Sequence, residues 1–333
     1  MLPREMKQPI DVELKGSTAK FVRRNYYHFN ALVLKNATLA YKKLLDDGGK
    51  MFVSMAGAMS TGRLGISLAK MIRSGAVSGL SVTGANLEED VFNLVANKDY
   101  VQVPDYRDIT QEDNKKMLDK KMNRVTDVAI PAASMKEVED IIIDSWKSAS
   151  INAERKFPHE FLTEILLSGK LKKYYQVPEE ESWLLAAAEM DIPIVTPGWE
   201  DSTLGNVFAA FVRKQEVDYT IQKTGIEAMN YLADWYLKTK EEKGFFQIGG
   251  GIAGDFSICV VPFLKQDCGL KNTKWWAYFC QISDSVTSYG GYSGATPDEK
   301  ITWDKLSIKT PKFVIESDAS IVCPLIFDQI LGY

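Results

Sequence analysis

The sequence predicts an α/β protein built on one parallel sheet with helices on both faces, and three observations carry that prediction. Strand-length apolar runs recur along the chain, among them Lys50–Met55, Leu80–Thr83, Ile192–Thr196 and Phe245–Ile248. After several of them comes a turn containing glycine and then a segment whose apolar residues repeat at helical spacing. No glycine-, serine- or proline-rich linker, low-complexity tract or internal repeat interrupts the alternation, which argues for one sheet covered on both sides.

Taken in order, residues 1–28 mix prolines and charges with few periodic apolar positions and read as an N-terminal arm that orders only against something else. Residues 29–333 form the single domain that follows. Phe29 to Leu45 is a helix, with Leu32, Leu34, Leu39 and Leu44 on one side and Asp46-Asp47-Gly48-Gly49 as its stop. The strand at 50–55, the turn from Ala56 to Gly62, the helix from Arg63 to Arg73 and the strand at 80–83 make a βαβ unit. Residues 98–190 are rich in charge and helix formers and read as helical packing, with a partner-facing excursion at 104–130. The alternation then resumes through strands at 192–196, 219–221 and 245–248, and again at Trp275–Ile282 and Phe313–Ile315. A helix from Val322 to Leu331 closes the chain.

Composition narrows the function. A hydrophobic share of 45% with 25% charged residues is that of a folded globular chain rather than a disordered one. A net charge of −4 gives no basic footprint, so nucleic acid is not expected as a partner. No apolar run is long enough to cross a bilayer and the start lacks a signal-peptide apolar region, so no membrane partner is expected and the protein is placed in the cytoplasm. Cys259, Cys268, Cys280 and Cys323 show no zinc-type spacing and read as buried small hydrophobes. His28 and His159 are the only histidines, and no metal site is expected.

In an open parallel sheet, ligands settle beyond the carboxyl ends of the strands, so the loops there are the candidate site. The turn after the first strand, with Gly57 and Ser60, offers backbone amides and a helix start for a phosphate. Thr83, Gly84, Glu88 and Glu89 follow the second strand, although acids there also suit a helix N-terminus. Pro197 to Gly205 contributes Glu200 and Asp201, which equally fit as helix caps. The run Gly249-Gly-Gly-Ile-Ala-Gly-Asp255 weakens strand and helix alike unless backbone must approach a ligand closely. The stretch Ser293 to Lys305 gathers carboxylates, an indole and two amines in one loop, where a solvated surface is the plain alternative. Together Glu88, Glu89, Glu200, Asp201, Asp255, Asp298, Glu299 and Asp318, with Trp199 and Trp303, suit a multivalent ammonium such as a polyamine. A set of satisfied helix caps would look similar.

These motifs, in their order, resemble the deoxyhypusine synthase family. They are Glu88-Glu89-Asp90, Asp201-Ser-Thr-Leu-Gly205, Gly249-Gly-Gly251, Ser293-Gly-Ala-Thr-Pro-Asp-Glu299, Trp303-Asp-Lys305 and Ser317-Asp-Ala-Ser320. The resemblance spans roughly residues 28–332 and implies a Rossmann-like fold, NAD as cofactor and a homotetramer with sites at dimer interfaces. It also implies a chemistry. A hydride passes from spermidine to NAD, the oxidised amine is cleaved, and an enzyme lysine captures the aminobutyl group as an imine. An acceptor amine then displaces that lysine and the hydride returns. By motif position Lys305 is the nucleophile and Glu89 assists proton transfer. Trp303, Glu299 and Asp201 face the polyamine. Thr83, Gly84, Glu88, Gly249, Gly251, Ser293, Asp318 and Ala319 fall on the nucleotide side.

The departures are as specific as the matches. Met55-Ala56-Gly57 stands where the eukaryotic and archaeal enzymes carry Thr-Ser-Asn; Asp255 replaces a histidine, Cys259 an asparagine and Tyr292 an acid. Asp255 and Tyr292 are therefore added to the amine-facing set, in a tunnel that has been remodelled. The pattern is most similar to the bacterial deoxyhypusine synthase-like branch, some of whose relatives make homospermidine from a free diamine. The expected activity is an NAD-dependent aminobutyl or aminoalkyl transfer to a small amine or a protein lysine. The alternatives are a non-catalytic NAD- or polyamine-binding protein and a simple amine dehydrogenase.

Overall fold

The computed structural model describes residues 12–286 and 290–333. Its centre is a six-stranded parallel sheet formed by β1 (Lys50–Met55), β2 (Gly79–Val82), β6 (Ile194–Val195), β7 (Lys243–Ile248), β8 (Tyr278–Ile282) and β9 (Lys312–Ile315). They lie in the order β6-β2-β1-β7-β8-β9. Numbered within this sheet alone, that is 3-2-1-4-5-6, the doubly wound Rossmann order, in which the winding reverses between β1 and β7.

The sequence sets this register through its aromatic residues. Phe52, Phe245 and Phe279 are register partners on three adjacent strands, and their rings stack at 5.9 and 6.2 Å. Trp276 closes on Phe245 at 5.0 Å. Gly79 pairs with Phe52 because a Cβ there would meet the Phe52 ring at 2.7 Å. Helices α10 (Gly225–Lys238), α11 (Gly251–Ile258) and its short continuation α12 (Val260–Pro262) cover this face. The other face, with Val53, Phe246 and Tyr278, packs on α2 (Phe29–Asp46), α3 (Gly65–Arg73) and α14 (Ala319–Leu331). Each fully buried aromatic contributes on the order of 2–3 kcal/mol of apolar transfer, so a one-residue slip would forfeit the core.

Around this centre stand α4 (Gly84–Ala96), α6 (Lys136–Asn152), α7 (Pro158–Leu167), α8 (Trp183–Glu189) and α9 (Thr203–Arg213). Asp90, fully inside, accepts from the Ser182 hydroxyl at 2.5 Å and from the amides of Trp183 and Leu184, which fixes the start of α8 on α4.

Three expectations are corrected, and the contact of the arm is located. Residues 98–190 are not purely helical: β3 (Val101–Gln102), β5 (Val128–Pro131) and β4 (Met122–Val125) form an antiparallel sheet beside α5 (Gln111–Asp119). Its hairpin turns at Thr126, with φ 53, rather than at a glycine, so the turn left no sequence signal. Tyr219–Ile221 is a single 3-10 turn capped by the Asp218 carboxylate, not a strand. The arm, in its described part, carries α1 (Ser17–Asn25) and docks on the chain's own end, Ser17 N–H donating to the Tyr333 carbonyl at 2.9 Å; its residues 1–11 lie outside the described residues. Cys268 is exposed and Cys259 half-buried, whereas Cys280 and Cys323 are buried as expected.

Candidate active site

The carboxyl ends of β1 and β7 meet at the reversal of winding, and the two turns that leave them are built differently. After β1, the side-chain amide of Asn86 donates to the carbonyls of Met55, Ala56 and Gly57, and its oxygen accepts from Ser60 N–H at 2.9 Å. Thr83 caps α4 and donates its hydroxyl to the Gly57 carbonyl at 2.8 Å. Gly57 takes φ +62 with open space where a Cβ would stand. After β7, Gly249 has φ +78 and Gly251 φ +58, and a Cβ on Gly249 would lie 3.1 Å from that of Ala56. The two turns therefore face each other across a narrow gap.

Part of the glycine requirement is internal. A Cβ on Gly250 would stand 2.2 Å from the Ser293 hydroxyl, and one on Gly254 would strike Gln247 and the Tyr292 ring. Gly251 N–H donates to that same hydroxyl at 3.2 Å, and Gln281 donates to the carbonyls of Gly249 and Ser293. The bare backbone of the glycine run thus seats the segment that leads to Lys305.

Lys305 follows α13 (Glu299–Thr302) and is 7% exposed. Its Nζ donates to Asp255 Oδ1 at 2.8 Å and lies 5.4 Å from the Tyr292 ring centre and 5.8 Å from that of Trp303. Asp304, between Trp303 and Lys305, adopts φ 58, and its carboxylate accepts from Lys265 Nζ at 2.8 Å and Trp275 Nε1 at 2.6 Å. That clamp fixes the turn presenting both residues. Burial, with the Asp255 carboxylate adding to it, holds the Tyr292 phenol far above its usual range, so it stays protonated and donates to Gln247 at 2.7 Å. Burial also raises the thiol of Cys259, which sits 3.7 Å from Asp255 Oδ1. Trp303 is 62% exposed and Glu299 is exposed beside it.

Across the gap, Glu89 accepts from both the amide and the hydroxyl of Thr61. Burial above all, with the Glu88 charge adding and the Thr61 hydroxyl opposing, pushes Glu89 up to about 7. A carboxyl poised there exchanges protons readily near neutral pH. Asp201 is exposed on the loop before α9, and that loop packs on Gly84, where a Cβ would meet the Trp199 carbonyl at 2.8 Å. Asp318 caps α14 at the β9 edge, accepting from Ser320, with Ala319 next to it.

Two residues assigned to the nucleotide point elsewhere. Ser60 is buried, its hydroxyl donating to the Asn86 carbonyl and accepting from Trp183 Nε1, so it braces the turn from within. Glu88 is buried with both oxygens taken by the amides of Thr203 and Leu204, so it satisfies the first turn of α9 beside the N-cap Ser202. A polar residue after a glycine turn reads the same in sequence whichever way it faces. Asn86 and Asp304 were missed; an asparagine in a first helical turn and an acid between two site residues were the available signals.

The arrangement fits NAD. The winding reversal lies between two glycine turns, the open positions at Gly57 and Gly251 are where a Cβ would block approach, and α4 and α11 start beside them. Gly57, Thr83, Gly249, Gly251 and Ser293 are the residues that would hold it. Fold and site together define a Rossmann-like nucleotide-binding protein with a buried lysine among acids and aromatics.

The family model for deoxyhypusine synthase matches residues 23–330, and the chain belongs to that family. Its reaction is the NAD-dependent transfer of the aminobutyl group of spermidine. Relatives include "Probable deoxyhypusine synthase 1" of Archaeoglobus fulgidus, 24% identical over 96% of this chain and 92% of the relative. The "Probable deoxyhypusine synthase" of Sulfurisphaera tokodaii is 25% identical over 100% and 98%. A "Deoxyhypusine synthase-like protein" of Nostoc sp. is 27% identical over 97% and 84%. The same fold is seen in the crystal structure of a "putative deoxyhypusine synthase" from Entamoeba histolytica, at TM-score 0.57 and 13% identity over 94% of this chain and 92% of that one. Among the described residues no helix is long and apolar enough to cross a membrane, and no group of three potential metal ligands is present.

Proposed function

We propose that this chain moves an aminobutyl group from spermidine, through an imine on Lys305, to a small free amine, and that it does so in the cytoplasm as a homotetramer. The observation that supports this most strongly is the setting of Lys305: an amine 7% exposed, bonded to one carboxylate and bordered by two aromatic rings. NAD, when bound, supplies the removal of a hydride from the donor amine and its return at the end. The chain's residues do the rest. Glu89, ionised above about pH 7, takes the proton that leaves the donor nitrogen as its neighbouring carbon is oxidised. Asp255 holds the Lys305 amine and lies on the path of the proton it sheds. The free amine adds to the oxidised carbon and the diamine half of the donor departs. The acceptor nitrogen then displaces Lys305, which leaves as it came. Trp303, Glu299 and Asp201, all exposed, are the surfaces offered to the ammonium groups.

A small acceptor is favoured because the amine-facing positions are where the chain departs from the family pattern. Asp255 adds a carboxylate whose side chain is 47% exposed, open to an incoming ammonium. The experiment is to incubate the protein with NAD, spermidine and putrescine and to look by mass spectrometry for a longer polyamine carrying the aminobutyl group. Its appearance supports the reading; modification of a lysine-bearing protein acceptor with no new polyamine would contradict the small acceptor.

A further inference from the structure

Two glutamines stand where the interior strands of a covered parallel sheet are ordinarily apolar. Gln247 on β7 and Gln281 on β8 are register partners, 0% and 1% exposed. A buried amide needs partners for its own groups, and both send Nε2 to a single atom, the carbonyl oxygen of Gly249, each at 3.1 Å. Gln281 also donates to the Ser293 carbonyl at 2.8 Å. Gln247 in turn accepts from the Tyr292 hydroxyl at 2.7 Å. It has room to do so because residue 254 is glycine, where a Cβ would lie 2.7 Å from the Gln247 oxygen.

The peptide unit that this pair grips joins two glycines. Among the described residues no peptide bond is cis, so a Gly249 carbonyl turned toward the glutamines turns the Gly250 N–H the opposite way. Gly250 is buried, yet among the described residues nothing accepts from that N–H. Its neighbours are satisfied: Gly249 N–H donates to the Ile282 carbonyl at 2.8 Å and Gly251 N–H to the Ser293 hydroxyl. A buried amide hydrogen left unpaired is uncommon and calls for an acceptor. Between glycines a peptide unit turns over with little steric hindrance, so the backbone does little to hold this one and the two side-chain bonds hold it instead.

We infer that Gln247 and Gln281 are positioning residues for the cofactor: by anchoring the Gly249 carbonyl they fix the Gly250 N–H as a donor to an oxygen of NAD. The donor lies at the start of α11, beside the gap between the two glycine turns. Asp255, on that same helix, holds Lys305, so the half of NAD nearest this turn is the reacting, nicotinamide half. The acceptor is therefore its phosphate or its carboxamide oxygen. Without the glutamines the peptide is free to reverse, which presents a carbonyl where the oxygen needs a donor. This role presupposes NAD along the turn, and binding by the wild type checks that separately.

The test is equilibrium binding of NAD, ADP-ribose and AMP to the wild type, Gln247→Met, Gln281→Met and the double variant, by titration calorimetry. Methionine nearly keeps the volume and removes the donor. In the double variant the Kd for NAD is expected to rise about tenfold or more. Each single variant leaves the carbonyl one donor and is expected to lose about threefold, which carries the same test if the double variant does not fold. AMP, which has only the adenine half, is expected to bind all four proteins alike. Weakened ADP-ribose binding identifies the acceptor as phosphate, and unchanged ADP-ribose binding with weakened NAD identifies it as the carboxamide. Unchanged NAD binding in the variants overturns the proposal, as does an equal loss of AMP, the sign of a generally loosened site. A wild type that binds no NAD overturns it together with the cofactor assignment beneath it.

Discussion

Glu89 and Glu88 are neighbours of the same type with different work, and the difference is made by what reaches their oxygens. Burial raises both, but Glu88 receives two backbone amides of the first turn of α9, whereas Glu89, among the described residues, receives only Thr61 and is pushed up to about 7. In the proposed role of base Glu89 must be ionised, so the rate of adduct formation is expected to fall as pH drops through about 7 and to level above it. Glu89→Gln should remove that limb and lower kcat by about a hundredfold or more. Thr61→Val should move the limb to higher pH, because the lost hydroxyl opposed the rise; a pH–rate profile of the two variants checks both. At this scale the sequence showed which residue types gather at the strand ends, and the motifs shared with the family drew attention to Lys305 and Glu89. It did not show direction: Ser60 and Glu88 face inward.

Among the elements, the turn from β7 into α11 does most to shape the site, since its glycines let Ser293 and Tyr292 lie against bare backbone. Gly250→Ala places a methyl group 2.2 Å from the Ser293 hydroxyl, so the segment bearing Tyr292 must move. The expected outcome is a loss of Lys305 reactivity by on the order of a hundredfold, because a shift of about 1 Å in a reacting group is enough for that; the fold should survive, and circular dichroism with single-turnover kinetics separates the two. Asp90→Ala tests a purely structural element contact. It leaves the Ser182 hydroxyl and two buried amides at the start of α8 without their acceptor, and should lower stability by about 2–3 kcal/mol in denaturant unfolding with little change in site chemistry. The glycine run was visible in sequence as a demand for close approach, but its partner is chiefly the chain itself. The 122–131 hairpin was not visible, because its turn uses Thr126 in a left-handed conformation and its strands are mostly half-exposed.

At the scale of the molecule, the 3-2-1-4-5-6 strand order sets the turns after β1 and β7 face to face, with Thr83 and Glu89 after β2, Asp201 after β6 and Asp255 on α11 after β7, where Lys305 reaches it from a segment paired beside Trp276, ahead of β8. The alternation of strands and helices announced a parallel sheet; the order of its strands is a tertiary property and came with the coordinates. The proposed tetramer should elute at a mass near four chains of 37.3 kDa. If sites are shared between subunits, mixing inactive Glu89→Gln and Lys305→Met proteins, with time to exchange subunits, should restore part of the activity, whereas sites confined to one chain restore none. The proposed transfer depends on one covalent bond. Incubation with NAD and labelled spermidine, reduction with borohydride and peptide mapping should place the labelled aminobutyl group on Lys305 and nowhere else; oxidised amine released with no adduct, or an adduct on a different residue, would contradict it.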